Sequence, residues 1–306
     1  MITIRRYKEM IKAENLSMPP RDTVYDSPLH RAAFGGDHTT LQRLLSNPDN
    51  LSQIALRNHL GCTPLRLAAT AGNDQCLLLL ISHGAQVNVV DIKGQTPLFV
   101  AVKNNHIGCV HILLDKGADP NGSKDCLCTP LYVAAMQGHA ECIQLLVDAG
   151  VDVNRSHTQG AAGLNGTALY ISFTYRHLEC FLILLKAGAD PDLGCKSGQI
   201  RAEYSLLNAA VKWGDINFVK PLVDFGARVS LNNEVKTKVS SPTEQERTLR
   251  ASLDLVDYIQ YIQSVPMSLQ SQCRIAIREC LGMTRLKNIN SLPVPKYLGA
   301  YLAHEI

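Results

Sequence analysis

Thr96 to Asn121 reads T-P-L-F-V-A-V-K-N-N-H-I-G-C-V-H-I-L-L-D-K-G-A-D-P-N, and this stretch measures out most of the chain. It opens on Thr-Pro-Leu, carries the apolar pair Leu113 and Leu114 near its end, and closes on Gly117-Ala118. Thr-Pro-Leu recurs at Thr63 and Thr129, with altered forms at Ser27 (S-P-L-H), Thr167 (T-A-L) and Ser205 (S-L-L). A Gly followed by Ala or Val closes the units at 84/85, 150/151, 188/189 and 226/227, so that 22 positions separate the opening Thr or Ser from the residue after Gly in five copies.

That constancy has a local cause. Pro in the first turn of a helix lacks an N–H that would have no partner there, and the Thr before it can cap the first amides. The stretch therefore predicts a helix over Thr96 to Asn104 and a second from Ile107 to Leu114, stopped at Gly117 by a left-handed residue. A pair this short cannot bury its own apolar face and becomes stable by stacking on copies of itself. The spacing of 33 residues from Thr63 to Thr96 and from Thr96 to Thr129, with S-P-L-H-R-A-A at Ser27, resembles the ankyrin repeat. The resemblance implies an all-α ankyrin-repeat solenoid of about six helix-pair repeats with connecting hairpin loops, over residues 25–230.

The units run from Ser27 to about Asp49, Thr63 to Ala85, Thr96 to Ala118, Thr129 to Val151, Thr167 to Ala189 and Ser205 to Ala227. Ten residues separate the units before repeats three and four, and 15 before repeats five and six. The longer connectors, Asp152 to Gly166 and Asp190 to Tyr204, read either as tolerated insertions or as enlarged binding loops. Residues 1–24 form an N-terminal segment with two readings: a short helix bearing Ile4, Tyr7 and Ile11, or a disordered tail.

Composition excludes several functions. The net charge of +3 gives no reason to expect nucleic-acid binding, which shows as a concentrated basic face. The longest apolar run, Cys76 to Ile81, is too short to span a bilayer, and M-I-T-I-R-R-Y-K-E has no signal-peptide apolar core, so no membrane association is expected. Ten cysteines without such a signal predict reduced thiols in an intracellular, cytoplasmic protein, with the nucleus also open to it. No G-x-S-x-G elbow, phosphate-cradling loop or H-E-x-x-H is present, so no enzyme and no cofactor is expected.

His-x-x-Cys recurs as His106 and Cys109, His139 and Cys142, and His177 and Cys180, with Cys76 in the same phase. Equivalent residues of adjacent repeats stand roughly 8–10 Å apart, whereas zinc needs four ligands near 2 Å converging on one point. The pattern predicts a small apolar Cys between second helices and a His bonded in the turn, and no metal site.

What the array offers is surface. Family resemblance implies that connector tips and the exposed side of the first helices line a concave face that takes protein ligands. Phases four, three and one before the opening residue and seven and eight after it select Ile92, Lys93, Gln95, Lys103 and Asn104, then Asp125, Met136 and Gln137. They go on to Leu164 and Tyr175, then Arg201, Tyr204, Lys212 and Trp213. Candidate substrate-binding residues are Lys93, Lys103, Asn104, Met136, Tyr175, Tyr204, Lys212 and Trp213, with aromatics as expected hot spots. Trp213, the single tryptophan, reads equally as a residue packed under the loop before it.

After Ala227 the pattern changes. Residues 231–265 read as a linker and a capping helix: Ser241, Pro242 and Glu244 form a capping-box start, and Leu249, Leu253, Val256 and Ile259 make a stripe suited to the exposed end of the sixth repeat. In residues 266–306, Leu269, Cys273 and Ile277 share one face of the helix S-L-Q-S-Q-C-R-I-A-I-R-E-C-L, and I-N-S-L-P-V-P-K-Y-L follows with two stiffening prolines. This pair of motifs resembles a SOCS box, a small C-terminal helical module. The resemblance implies that elongin C, with elongin B, binds Leu269, Cys273 and Ile277. It likewise implies that a cullin, cullin-5 with its RING protein, contacts Ile289, Leu292, Pro293, Val294, Pro295 and Leu298. The whole resembles the ankyrin repeat and SOCS box family, non-catalytic substrate-recognition subunits of cullin-RING ubiquitin ligases that present an as yet unknown protein substrate. The alternative is a scaffold or inhibitor that binds a partner without causing its ubiquitination.

Overall fold

The structure is a computed structural model that describes residues 26–126, 128–156, 167–193, 205–227, 257–259, 261 and 276. Every regular element among them is a helix. The chain divides between Gln86 and Val87 into two compact units.

The first unit holds two helix pairs. Helix α1 (Pro28–Gly35) is followed by α2 (His38–Leu45), and α4 (Pro64–Ala71) by α5 (Asp74–Ser82). Between the pairs lie α3 (Pro48–Leu51) and a 3-10 turn (Ser52–Ala55), an addition to the repeat that the periodic pattern did not reveal. Its start is local chemistry: Asn47 accepts a hydrogen bond from the Asp49 amide at 3.0 Å, and Pro48 sits at the first helical position. Ile54 tethers the insertion by its burial.

α1 packs closely on α4, and α2 on α5. The contact between α1 and α4 is keyed by buried His30, whose Nε2–H donates to the Cys62 carbonyl at 3.0 Å while Nδ1 accepts from the Ser27 hydroxyl at 2.8 Å. Burial holds this imidazole below its ordinary pKa.

The second unit holds four pairs. They are α6 (Pro97–Lys103) with α7 (Ile107–Asp115), α8 (Pro130–Gln137) with α9 (Ala140–Asp148), α10 (Ala168–Thr174) with α11 (Leu178–Lys186), and α12 (Leu206–Trp213) with α13 (Ile216–Asp224). The first pair matches the predicted helices to within a residue at each end. Gly117 takes φ +83, the left-handed stop expected after α7.

The opening Thr or Ser caps each first helix. The hydroxyls of Thr96, Thr129, Thr167 and Ser205 accept from the amides of Phe99, Tyr132, Tyr170 and Asn208 at 3.1–3.2 Å. This works equally at Thr167 and Ser205, where Ala and Leu replace Pro, so the cap hydroxyl rather than the proline is the constant feature. Each such cap contributes roughly 1 kcal/mol.

Two ladders fix the stacking of these pairs. At the connector roots, Asn88, Asn121 and Asn154 each accept through Oδ1 from a backbone amide one repeat later, those of Asp119, Asp152 and Asp190, at 2.8–3.0 Å. In the core, Cys109, Cys142 and Cys180 are buried with Leu113, Leu146 and Leu184 along the second helices. The last pair meets a further segment: Ile259 is fully buried, and Lys220 of α13 places Nζ 5.5 Å from the centroid of the Tyr258 ring. Burial pushes the Tyr258 hydroxyl up to about 12, with Asp224 and Tyr261 adding to the shift. The remainder of the expected capping helix and residues 1–24 lie outside the described residues.

Candidate functional site

The face expected to bind protein consists, in the second unit, of connector tips and the C-terminal ends of the first helices. Its tips are built by carboxylate turns. Asp91 accepts through Oδ1 from the amides of Lys93 and Gln95 at 2.8 and 2.9 Å, which pins the strand-like ends together and presents Ile92, 68% exposed, and Lys93 outward. Gln95 corrects the sequence reading: the same turn folds it inward, and it is buried rather than exposed. Lys103 is half-buried and Asn104 exposed at the end of α6.

Met136 is a second correction. Its phase predicted exposure, yet it is 6% exposed. The cause is the turn that follows α10: His177 donates from Nε2 to the Met136 carbonyl at 3.1 Å and draws that turn over the end of α8. His139 similarly donates from Nδ1 to the Val102 carbonyl at 3.0 Å, and Asn73 gives its side-chain amide to the carbonyls of Ala33 and Phe34. The histidines of the His-x-x-Cys pattern thus bond across to the preceding repeat rather than within their own turn. Burial pushes the thiols of Cys142 and Cys180 up to about 12 and about 11, which leaves them protonated and unreactive. Among the described residues no cluster of His, Cys, Asp or Glu could hold a metal ion, and none forms a helix long and apolar enough to cross a membrane.

The aromatic end of the face is where the structure gathers residues most tightly. Tyr175 is half-buried, its ring parallel to that of His177 with centroids 6.2 Å apart, and burial raises its hydroxyl pKa. Tyr132 is buried, and its hydroxyl is pushed up well beyond the ordinary range by desolvation, with Cys128, Tyr175 and Tyr170 adding to the shift. Lys212 is exposed at the end of α12. Trp213 is 49% exposed and lies flat against Phe173, centroids 4.6 Å apart and planes 14° off parallel. It is therefore neither packed beneath a loop nor fully displayed, but held on one face and open to solvent over about half its area.

Phe173 is the residue that the exposed-phase rule overlooked. Six positions after the opening residue the other repeats carry Ala33, Ala69, Val102, Ala135 and Val211, so a phenylalanine there was visible in the sequence as an exception. Its ring also meets those of Phe218 at 5.3 Å and Phe181 at 6.4 Å, which makes it the centre of an aromatic cluster joining repeats five and six. Tyr204 lies outside the described residues. So do Leu269, Cys273, Ile277, Ile289, Leu292, Pro293, Val294, Pro295 and Leu298.

Stacked helix pairs with Thr-Pro-Leu caps, followed by a distinct C-terminal motif pair, define a repeat protein with an appended adaptor module. The family comparisons assign both parts. The description "Ankyrin repeats (3 copies)" matches residues 29–125 and 121–197, and "SOCS box" matches residues 265–303. The chain is 40% identical to human Ankyrin repeat and SOCS box protein 1, over 98% of this chain and 95% of that protein. It is 40% identical to the mouse protein of the same name, over 94% and 90%. The crystal structure of the human ASB11 ankyrin repeat domain superposes with a TM-score of 0.57 at 27% identity, covering 76% of this chain and 97% of that one. The chain belongs to the ankyrin repeat and SOCS box protein family.

Proposed function

We propose that this chain is the substrate-recognition subunit of an elongin BC–cullin-RING ubiquitin ligase, with cullin-5 as the cullin, acting in the cytoplasm. The observation that carries the reading is the SOCS-box match over residues 265–303, which contains both motifs in order directly behind an ankyrin array. In this division of labour, residues 25–230 hold the target, 231–265 link and cap the array, and 266–306 engage the ligase. Leu269, Cys273 and Ile277, spaced by four, offer an apolar helix face to a groove of elongin C. Burying one leucine in such a groove stabilises the complex by about 1.5–3 kcal/mol, and the small Cys lets the helix backbone come close. Ile289, Leu292, Pro293, Val294, Pro295 and Leu298 offer the cullin a stiff run that loses little entropy on binding. The chain contributes no catalytic group of its own. It converts ubiquitin transfer to the target into an effectively intramolecular step.

Co-purification with elongins B and C tests this. The intact chain is expected to hold the heterodimer through gel filtration, and Leu269→Asp with Cys273→Glu to lose it while retaining the helical circular dichroism of the repeats. An intact, folded chain that never binds the heterodimer would favour the scaffold reading instead.

A further inference from the structure

Within the second unit α8 packs closely on both α6 and α10, whereas α10 and α12 hardly touch, although their partners α11 and α13 pack together. The sequence supplies the reason. Phe173 stands where the first helices of the other repeats approach across Ala or Val, and a fully buried phenyl ring at that position holds α12 away from α10. Trp213 fills part of the opening by lying on Phe173. A large aromatic plane is thereby fixed on the first-helix face, with one side locked and half of the residue exposed, so that little side-chain entropy remains to be lost on binding.

The charges around it are one-sided. Lys93, Lys103 and Lys212 occupy the selected phases of this face in the second unit, against the single carboxylate Asp125. On the outer ends of the second helices the balance is reversed, with Asp115, Glu141, Asp148, Glu179 and Asp224 against Lys116, Lys186 and Lys220. An exposed indole could also attract a cation, but the neighbouring lysines repel one.

We propose that the opening between α10 and α12 is the anchor site for the target protein, and that it takes an aromatic side chain from an acidic segment, the ring stacking on Trp213 and the flanking carboxylates facing Lys212 and Lys103. The inference rests on the substrate-receptor reading and deepens it by naming the partner's chemistry.

The test is selection of a random 12-residue peptide library, displayed on phage, against the full chain bound to elongins B and C. Retention of the elongins throughout separates failure of this site from failure of the receptor reading. Enrichment of peptides carrying Asp or Glu around Phe, Tyr or Trp is expected, with affinity reduced at least about tenfold by Trp213→Ala. Trp213→Ala also removes a packed ring, so Lys212→Glu serves as the second variant: it alters an exposed residue, should leave thermal unfolding unchanged, and should weaken the acidic peptides. Enrichment of basic or neutral peptides, absence of any enrichment, binding indifferent to both variants, or preferential binding of a single-stranded oligonucleotide at the same face would overturn the proposal.

Discussion

His139 and Asn73 perform the same task with different chemistry, and only one of them titrates. Both stand ten positions after the opening Thr and reach back to carbonyls at the end of the preceding first helix. Burial lowers the His139 pKa, and the nearby His177 adds to that, against the raising influence of its bond to Val102. The folded protein therefore keeps this ring neutral, while the unfolded chain binds a proton near pH 6.5. The associated stability is complete above the unfolded pKa and is lost as pH falls from there through the lower folded value, because the unfolded state takes up more protons. The variant His139→Asn, which copies the residue at Asn73, keeps a side-chain N–H donor and removes the titration. Urea midpoints at pH 7.5 and 5.5 should fall further for the natural chain than for H139N. Equal losses would show that His139 is not a source of acid sensitivity.

At the scale of the element, the turn between first and second helix shows how much of this fold is local. The residue nine positions after each opening Thr or Ser is left-handed in all six described units, and it is Gly36, Gly72, Asn105, Gly138, Arg176 or Gly214. Asn accepts that conformation readily, whereas Arg176, at φ +61, does so under strain. Its compensation is an ion pair with Asp215, which also caps α13 by accepting from the Asn217 amide at 3.1 Å. The guanidinium is largely exposed, so the pair contributes at most about 1 kcal/mol. Arg176→Ala loses the pair and keeps the strain, while Arg176→Gly loses the pair and relieves it. The Gly variant should be the more stable of the two by about 1 kcal/mol in equilibrium denaturation, and a more stable Ala variant would refute the strain.

The same scale explains what was legible beforehand. Caps, stops and helix lengths depend on neighbours within a few residues, and the sequence placed them to within a residue over Thr96–Asp115. Exposure at Gln95 and Met136 depended on a carboxylate turn and on a histidine bond from the next repeat, and phase alone could not supply either. The insertion Pro48–Ala55 broke the period and so escaped a reading based on the period.

For the whole molecule, the ligase reading requires that the chain act as a bridge with separable ends. The two halves of the C-terminal motif differ in how they would bind: Leu269, Cys273 and Ile277 through apolar burial, the Leu292–Pro295 run through stiffness. Replacing Pro293 and Pro295 together by Ala leaves every elongin-facing residue in place but frees two backbone positions, each worth roughly 0.4–1 kcal/mol of unbound-state entropy. The pair should therefore cost cullin affinity about 4- to 30-fold. Elongin B and C should co-purify undiminished, and peptides selected at Trp213 should bind as before. Titration of cullin-5 against the variant and the natural complex measures the first quantity directly. If elongin and cullin binding fell together, the two motifs would form one cooperative surface; if neither changed, the prolines would have no part in cullin recognition, and the residues assigned to it would have to be sought elsewhere in 266–306.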